Sequence, residues 1–128
     1  MQILAALFLD AIDTRQVPGP STRLDLTGVQ FSTPAPTTPP FRLEPHLCVI
    51  VSCGPQDKPQ AALEVVFRRG GEQIARNVQA LAIEPGRFGF RLVRAELEFE
   101  DYGLVEAHCR VDLGTPVIVP LTVLPPVG

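Results

Sequence analysis

The sequence predicts an all-β fold, a β-sandwich of about seven or eight antiparallel strands in two sheets. Three observations predict it. Apolar and polar side chains alternate in short segments along most of the chain, which places the apolar ones on one face of a strand. Turns separate these segments, and the chain carries 14 prolines and 10 glycines to form them. No segment has the apolar stripe of an amphipathic helix of useful length.

The clearest element is a hairpin near the end of the chain. In residues 105–112, four apolar side chains that begin with Val105 alternate with four polar ones that begin with Glu106. Residues 112–115 (DLGT) form a turn, and a second apolar run follows over residues 117–123. We therefore predict strands seven and eight here.

The first third of the chain predicts two strands and two loops. Residues 2–10 are almost continuously apolar, which fits a strand covered on both faces or a short buried helix; the lack of a cap and of an amphipathic stripe favours the strand. Residues 17–21 (VPGPS) require a loop. Residues 23–31 predict a second strand, in which a bulge at Gly28 returns the following apolar side chains to the core side.

The middle of the chain continues this pattern. Residues 33–40 hold four prolines that cannot donate ladder hydrogen bonds, so we expect a stiff extended crossing between sheets rather than a ligand for a proline-recognising domain. Residues 47–53 predict a third strand that is central in its sheet, and a polar loop follows over residues 54–60.

Three further strands follow. Residues 63–68 predict the fourth, and Arg69–Glu72, with two glycines, forms a tight turn. Residues 73–78 predict a weaker edge strand. After a turn at Pro85 and Gly86, residues 88–92 predict a sixth strand.

In that sixth strand, three apolar side chains point one way and two arginines the other: Phe88, Phe90 and Leu92 against Arg87 and Arg91. Leu97 and Phe99 are expected to be buried beneath a corner of the fold.

Composition limits the class of protein. The chain has 128 residues and a formal net charge of −3, which fits one domain over residues 1–128 with its basic residues scattered, so we expect no nucleic acid partner. No run approaches the ~18 apolar residues of a membrane span, so we expect no membrane partner. Residues 1–10 lack the basic start of a signal peptide, and the three cysteines follow no disulfide framework. A cytoplasmic protein is the expectation.

Segments near both ends of the chain resemble one group of proteins. These segments are residues 7–11 (LFLDA), 24–28 (LDLTG), 99–103 (FEDYG), 111–112 (VD) and 119–123 (VPLTV). They resemble small uncharacterised bacterial proteins, found chiefly in actinobacteria, and the resemblance covers the whole length. It implies an immunoglobulin-like sandwich and implies no activity.

A second similarity concerns the corner before the last hairpin. Residues 101–107 (DYGLVEA) are similar to the D-x-G-x-Y-x-C corner of immunoglobulin domains, with Val105 in place of the tyrosine and Ala107 in place of the cysteine. The chain has no tryptophan, so the antibody-type core is absent and a looser immunoglobulin-like sandwich remains.

Several side chains invite a metal or disulfide interpretation. These are His46, Cys48, Cys53, His108 and Cys109. His46 and Cys48 share a strand face that Cys53 does not, and adjacent His108 and Cys109 point to opposite faces, so the pattern does not converge on an ion. Cys53 and Cys109 both fall at inward positions; they could pair in an oxidising compartment, and we expect buried free thiols in the cytoplasm.

An acidic group follows the sixth strand. It consists of Glu96, Glu98, Glu100 and Asp101. A calcium site or paired-carboxylate centre is one interpretation; the favoured one is a solvated strand face opposite Arg87, Arg91 or Arg94.

Nucleophilic chemistry finds no support in the sequence. Cys48 and His46 are too close on one extended strand for the sulfur to meet an imidazole nitrogen, and Ser32 and Ser52 lack an elbow motif. Gly70 and its neighbouring glycine join two strands and open no helix, so they form no phosphate loop. The sequence therefore predicts no catalytic, cofactor-binding or metal residue, and no cofactor.

The expected function is a non-catalytic binding or assembly module that acts through edge strands or end loops, with a protein partner and a possible homo-oligomeric state. The alternative is a small-molecule or carbohydrate binder with a cleft at one end of the sandwich. An enzyme is the least favoured class.

Overall fold

The structure, a computed structural model, describes residues 1–17 and 22–127, with the side chains of Gln16 and Thr22 excepted. The described residues form twelve strands and no helix, so the all-β prediction is confirmed. The strands are β1 (Gln2–Leu9), β2 (Ala11–Gln16), β3 (Thr22–Thr27), β4 (Ser32–Pro34), β5 (Phe41–Leu43), β6 (His46–Ser52), β7 (Gln60–Arg69), β8 (Glu72–Ala82), β9 (Phe88–Arg94), β10 (Leu97–Phe99), β11 (Gly103–Val111) and β12 (Val117–Leu124). In this described part, no helix is long and apolar enough to cross a membrane.

Two larger sheets enclose the core. One has five strands in the order β4-β12-β11-β7-β8, and the other has three in the order β1-β6-β9. Side chains from both sheets meet in one buried cluster, in which Val49 of β6, Phe67 of β7 and Val105 of β11 are fully buried. Two small sheets, β2-β3 and β10-β5, complete the described strands. The architecture is consistent with a β-sandwich.

The closing hairpin forms as the sequence predicts. β11 pairs antiparallel with β12, and Val105, Ala107 and Cys109 are fully buried. The turn after β11 begins at Asp112, which has a φ of 51°. Asp112 holds this conformation because its backbone N–H donates to the Ala62 carbonyl at 2.8 Å and its carboxylate accepts from the Ala62 N–H at 2.9 Å.

The predicted second strand is wrong in its second half. β3 ends at Thr27 because it pairs with β2, a strand that the sequence analysis did not predict. Val29 and Phe31 lie on the surface, with Phe31 69% exposed, so the expected bulge does not return them to the core. Gly28 is still required: it has a φ of 66°, and a Cβ there would lie 2.1 Å from an Asp10 carboxylate oxygen.

The two proline-containing segments have different outcomes. The loop expected over residues 17–21 lies outside the described residues beyond Val17. The crossing expected over residues 33–40 begins as an edge strand, because β4 pairs parallel with β12. The Ala35 N–H then donates to the Leu124 carbonyl at 2.8 Å.

The predicted edge strand is present and is longer than expected, and the two side chains expected beneath a corner are buried in a strand of their own. The edge strand extends over eleven residues as β8 and borders the five-stranded sheet. Leu97 and Phe99 are buried as expected, and they belong to β10, which pairs with β5. Short strands such as β5 and β10 are one reason why the described strands outnumber the predicted seven or eight.

Candidate functional site

The histidines and cysteines do not converge. Cys53 and Cys109 belong to the core cluster, whereas Cys48 lies on the other face of the three-stranded sheet. His46 places Nδ1 3.3 Å from the Asp10 carbonyl oxygen. His108 lies in the five-stranded sheet, paired with Ile118. Among the residues that the structure describes, no group of three or more metal-ligating side chains is found.

The three thiols are free, and two of them are poorly ionised. Cys48, Cys53 and Cys109 form no disulfide. Burial raises the pKa of the Cys109 thiol to about 12 and also raises the pKa of Cys48. Because the thiolate is the reactive species, both groups are weak nucleophiles at neutral pH.

The acidic group is a strand face with one arginine partner. Glu96, Glu98 and Glu100 are exposed, and the residues between them are buried, as the alternation predicts. The cation that pairs with Glu96 is Arg42 of β5, rather than any of the three arginines expected from the sequence. Arg42 is within reach of the acidic group because it lies directly opposite Glu98 in the β5–β10 register.

A cleft of about 860 Å³ lies beside this acidic face. Its wall includes Phe41, Arg69, Ile74 and Phe99. The two phenylalanine rings stack with centroids 5.3 Å apart, and both are buried, at 6% and 1% exposure. A sugar platform needs an accessible ring face, so these rings serve packing rather than stacking on a ligand.

Arg69 closes the base of the cleft. Its guanidinium lies 4.9 Å from the centroid of the Phe99 ring, and Nη2 donates to the Tyr102 carbonyl at 2.6 Å. Nη1 is buried and has no hydrogen-bond partner. Nη2 is thus committed to an internal contact, whereas Nη1 is left without a partner in the wall of the cleft.

The long strand β8 leaves one set of backbone groups unpaired by any strand described. Ile83, just after β8, donates its N–H to the Pro59 carbonyl on the β7 side. Because successive residues of a strand direct their backbone groups to opposite sides, Arg76, Val78 and Ala80 direct theirs to the free edge. Their side chains are exposed, Val78 at 49%.

Arg91 of β9 crosses to this edge from the other sheet. Its Nη2 donates to the Ala80 carbonyl at 3.2 Å, and Nη1 donates to the carbonyl of Phe90 at 3.0 Å. It reaches β8 because Arg91 pairs with Val49, a core residue, and therefore faces inward. The Ala80 carbonyl, which points to the free edge of β8, is thus already hydrogen-bonded by Arg91.

The same register turns the apolar side chains of β9 outward. Val93 faces the core opposite Leu47, so Phe90 and Leu92 share the outer face with Ile50 and Cys48. Ala5 and Leu7 of β1 pair with Ile50 and Cys48 and complete this face. We call it the apolar outer face, and its members are Ala5, Leu7, Cys48, Ile50, Phe88, Phe90 and Leu92.

The outer face of the five-stranded sheet has a different chemistry. Glu64 of β7 accepts from Arg76 Nε at 2.9 Å and from Arg110 Nε at 2.8 Å. The hydrogen bond from Arg76 lowers the pKa of Glu64 most, and Arg110 adds to the effect. This solvated face therefore carries an ion-paired cluster beside exposed apolar side chains such as Leu104 and Ile118.

Comparison with family models, with curated proteins and with solved structures finds no match to this chain. The resemblance to small actinobacterial proteins therefore stays a prediction.

Neither the inward position of Arg91 nor the apolar outer face was predicted from the sequence. A signal for the second was present: residues 2–10 and 47–53 are apolar at consecutive positions, which is typical of strands covered on both faces.

Proposed function

We propose that this chain is a non-catalytic protein-binding module that accepts an extended segment of a partner along β8. The observation that carries the proposal is the row of outward backbone groups at Arg76, Val78 and Ala80, on the longest described strand. An unpaired edge of this kind is a template for a partner strand, whose main chain supplies the hydrogen bonds.

Side chains at this edge favour a specific partner over indiscriminate pairing. Arg76 is held by Glu64 at the outer face, and Arg91 occupies the Ala80 carbonyl. Charged residues and a covered acceptor are devices that limit edge-to-edge aggregation. A partner strand must displace Arg91 from the Ala80 carbonyl, and an N–H of the partner then donates to that carbonyl in its place.

The finer fold assignment belongs to the same proposal. An immunoglobulin-like sandwich fits the five- and three-stranded sheets around one core and the closing β11–β12 hairpin. A cytoplasmic setting fits the three free thiols. The small-molecule or carbohydrate alternative ranks lower because the aromatic rings beside the cleft are buried.

Val78→Pro tests the proposal. Proline removes an N–H that points to the free edge and keeps the ladder to β7, so the fold tolerates it. Peptides selected from a random library on the wild-type protein should lose about tenfold or more in affinity for Val78→Pro. Hydrogen exchange should show that such a peptide protects the amides of Arg76 and Val78.

Two variants control this experiment. Val78→Ala keeps the N–H and should retain binding, whereas Arg91→Ala frees the Ala80 carbonyl and should strengthen it. Selected peptides that bind Val78→Pro as well as the wild type, and protect amides elsewhere, would contradict strand addition at β8.

A further inference from the structure

The free edge of β8 has a side-chain sequence that matches its own reverse. Residues 75–81 read ARNVQAL, with Val78 at the centre. They form a regular stretch of strand, because the one register shift against β7 falls before Ala75. In an antiparallel pair of two such stretches, each Val78 lies opposite the other, Arg76 lies opposite Ala80, and Asn77 lies opposite Gln79.

The backbone groups of this stretch match in the same arrangement. β8 is the last strand of its sheet and pairs only with β7 among the described strands. About an axis at Val78, the two Val78 residues exchange a pair of hydrogen bonds, and Arg76 of each copy exchanges another pair with Ala80 of the other. Every group that points to the free edge in residues 76–80 thereby finds a partner.

On the outer face of the sheet, the side chains fit without like charges in contact. Val78 is 49% exposed, and two β-branched side chains that lie opposite each other form a favourable cross-strand pair. The long side chain of Arg76 lies opposite the small Ala80 and keeps its hydrogen bond to Glu64. The two Arg76 residues are about 14 Å apart, since four residues of extended strand separate them.

On the inner face, the two amide side chains complement each other. Gln79 Nε2 donates to Asn77 Oδ1 of the same copy at 3.1 Å. Among the described hydrogen bonds, this leaves Asn77 Nδ2 as a donor and Gln79 Oε1 as an acceptor. The axis at Val78 brings Asn77 of one copy opposite Gln79 of the other, in a pair whose side chains lie close together, so that donor meets acceptor twice.

Charge selects this register over its neighbours. An axis at Arg76 would place the two arginines directly opposite each other, and an axis at Ala80 would bring the two Arg91 side chains together. Past the regular stretch, Glu84 is already paired with Arg87 at 3.2 Å, and Glu72 lies beyond the register shift. The axis at Val78 therefore brings no two unpaired like charges into register within residues 75–81.

We propose that the segment accepted by β8 is β8 of a second copy, paired antiparallel about a two-fold axis at Val78 so that the two five-stranded sheets become one continuous sheet. The proposal rests on strand addition at β8 and names its partner. A single strand pair is smaller than a standard interface of about 800 Å² per partner, and each copy must release Arg91 from Ala80. The dimer is therefore weak and depends on concentration.

Sedimentation equilibrium of the purified chain, at concentrations up to about 1 mM, tests the pairing. The wild type should self-associate to a dimer. Val78→Pro removes the N–H on the axis from both copies and should weaken the dimer about tenfold or more.

Val78→Lys serves if the proline variant fails to fold. The new ammonium lies opposite Glu64 within its own copy, but the two lysines face each other across the axis, so the dimer should weaken several-fold. Ile118→Lys is the matched control, because Ile118 is 52% exposed on the same sheet and away from β8. It should leave the dimer unchanged.

Cross-linking tests the register. Opposite Val78 residues have Cα atoms about 5.5 Å apart, within the range of about 4.4–6.8 Å that a disulfide bridges. Under mild oxidation by oxidised glutathione, Val78→Cys should therefore form a covalent dimer. Ala80→Cys, on the same edge, should not, because the two Ala80 residues are about 14 Å apart. The native cysteines are buried and stay out of this reaction.

The outcomes separate this proposal from strand addition in general. A wild type that stays monomeric at every concentration, while selected peptides still bind along β8, overturns the pairing of two copies and leaves strand addition standing. A dimer that neither Val78→Pro nor Val78→Lys weakens also overturns it. Cross-linking of Ala80→Cys as fast as Val78→Cys overturns the axis at Val78.

Discussion

At the residue scale, Cys109 shows how burial in the core changes the pKa of an ionisable group. The thiol is fully buried between the sheets, and burial raises its pKa to about 12. The neutral thiol therefore behaves as a small apolar side chain.

This shift predicts a loss of stability at high pH. The pKa of the Cys109 thiol is higher in the folded state than in the unfolded state. The unfolded state therefore releases the thiol proton at a lower pH. The stabilisation is complete below pH 9 and is lost as the pH rises towards 12. In that window the free energy of unfolding should fall by up to about 1.4 kcal/mol per pH unit from this group.

Urea unfolding of the wild type and of Cys109→Ala at several pH values measures the effect. Other groups titrate in both proteins, so the difference between the two slopes isolates Cys109. Equal slopes for the two proteins would show that the thiol ionises freely in the folded state.

At the scale of elements, the hairpin formed by β2 and β3, which we call the arm, and strand β6 lie in opposite environments. β6 is central in the three-stranded sheet, and Leu47, Val49 and Val51 are fully buried. The arm pairs only within itself among the described strands. Its polar composition hid β2 from the sequence analysis, because residues 11–16 (AIDTRQ) show no apolar alternation beyond Ile12.

Hydrogen exchange should separate these elements. Amides of the arm should exchange much faster than those of β6, because a two-stranded hairpin that pairs with no other described strand opens without unfolding the rest. Arm amides as protected as those of β6 would contradict the independent opening of the arm.

For the whole molecule, one shared core makes the two large sheets unfold together. Phe67 is fully buried among side chains of both sheets. Phe67→Ala should therefore cost about 3–5 kcal/mol in a single cooperative transition. Leu104→Ala, at a site 47% exposed on β11, should change stability by no more than about 0.5 kcal/mol.

Denaturant unfolding followed by far-ultraviolet circular dichroism measures both variants. Two separate transitions, of which Phe67→Ala moves only one, would show that the sheets hold separate cores.

The sequence by itself determined the strands that alternate with a period of two, and it determined the β11–β12 hairpin. In β11 from Val105 onward only one parity is apolar, so the buried face of Val105, Ala107 and Cys109 has no rival. The same reasoning placed Leu97 and Phe99 inside.

Tertiary structure alone decided the face of β9 and the partners of the surface arginines. In β9 both parities carry apolar side chains, and local pattern favours the side with Phe90 and Leu92. Pairing reverses that choice, because Val93 stands opposite Leu47 on the inward side of β6. A sequence period defines two faces of a strand, but only the neighbouring strand and the opposite sheet determine which face is covered.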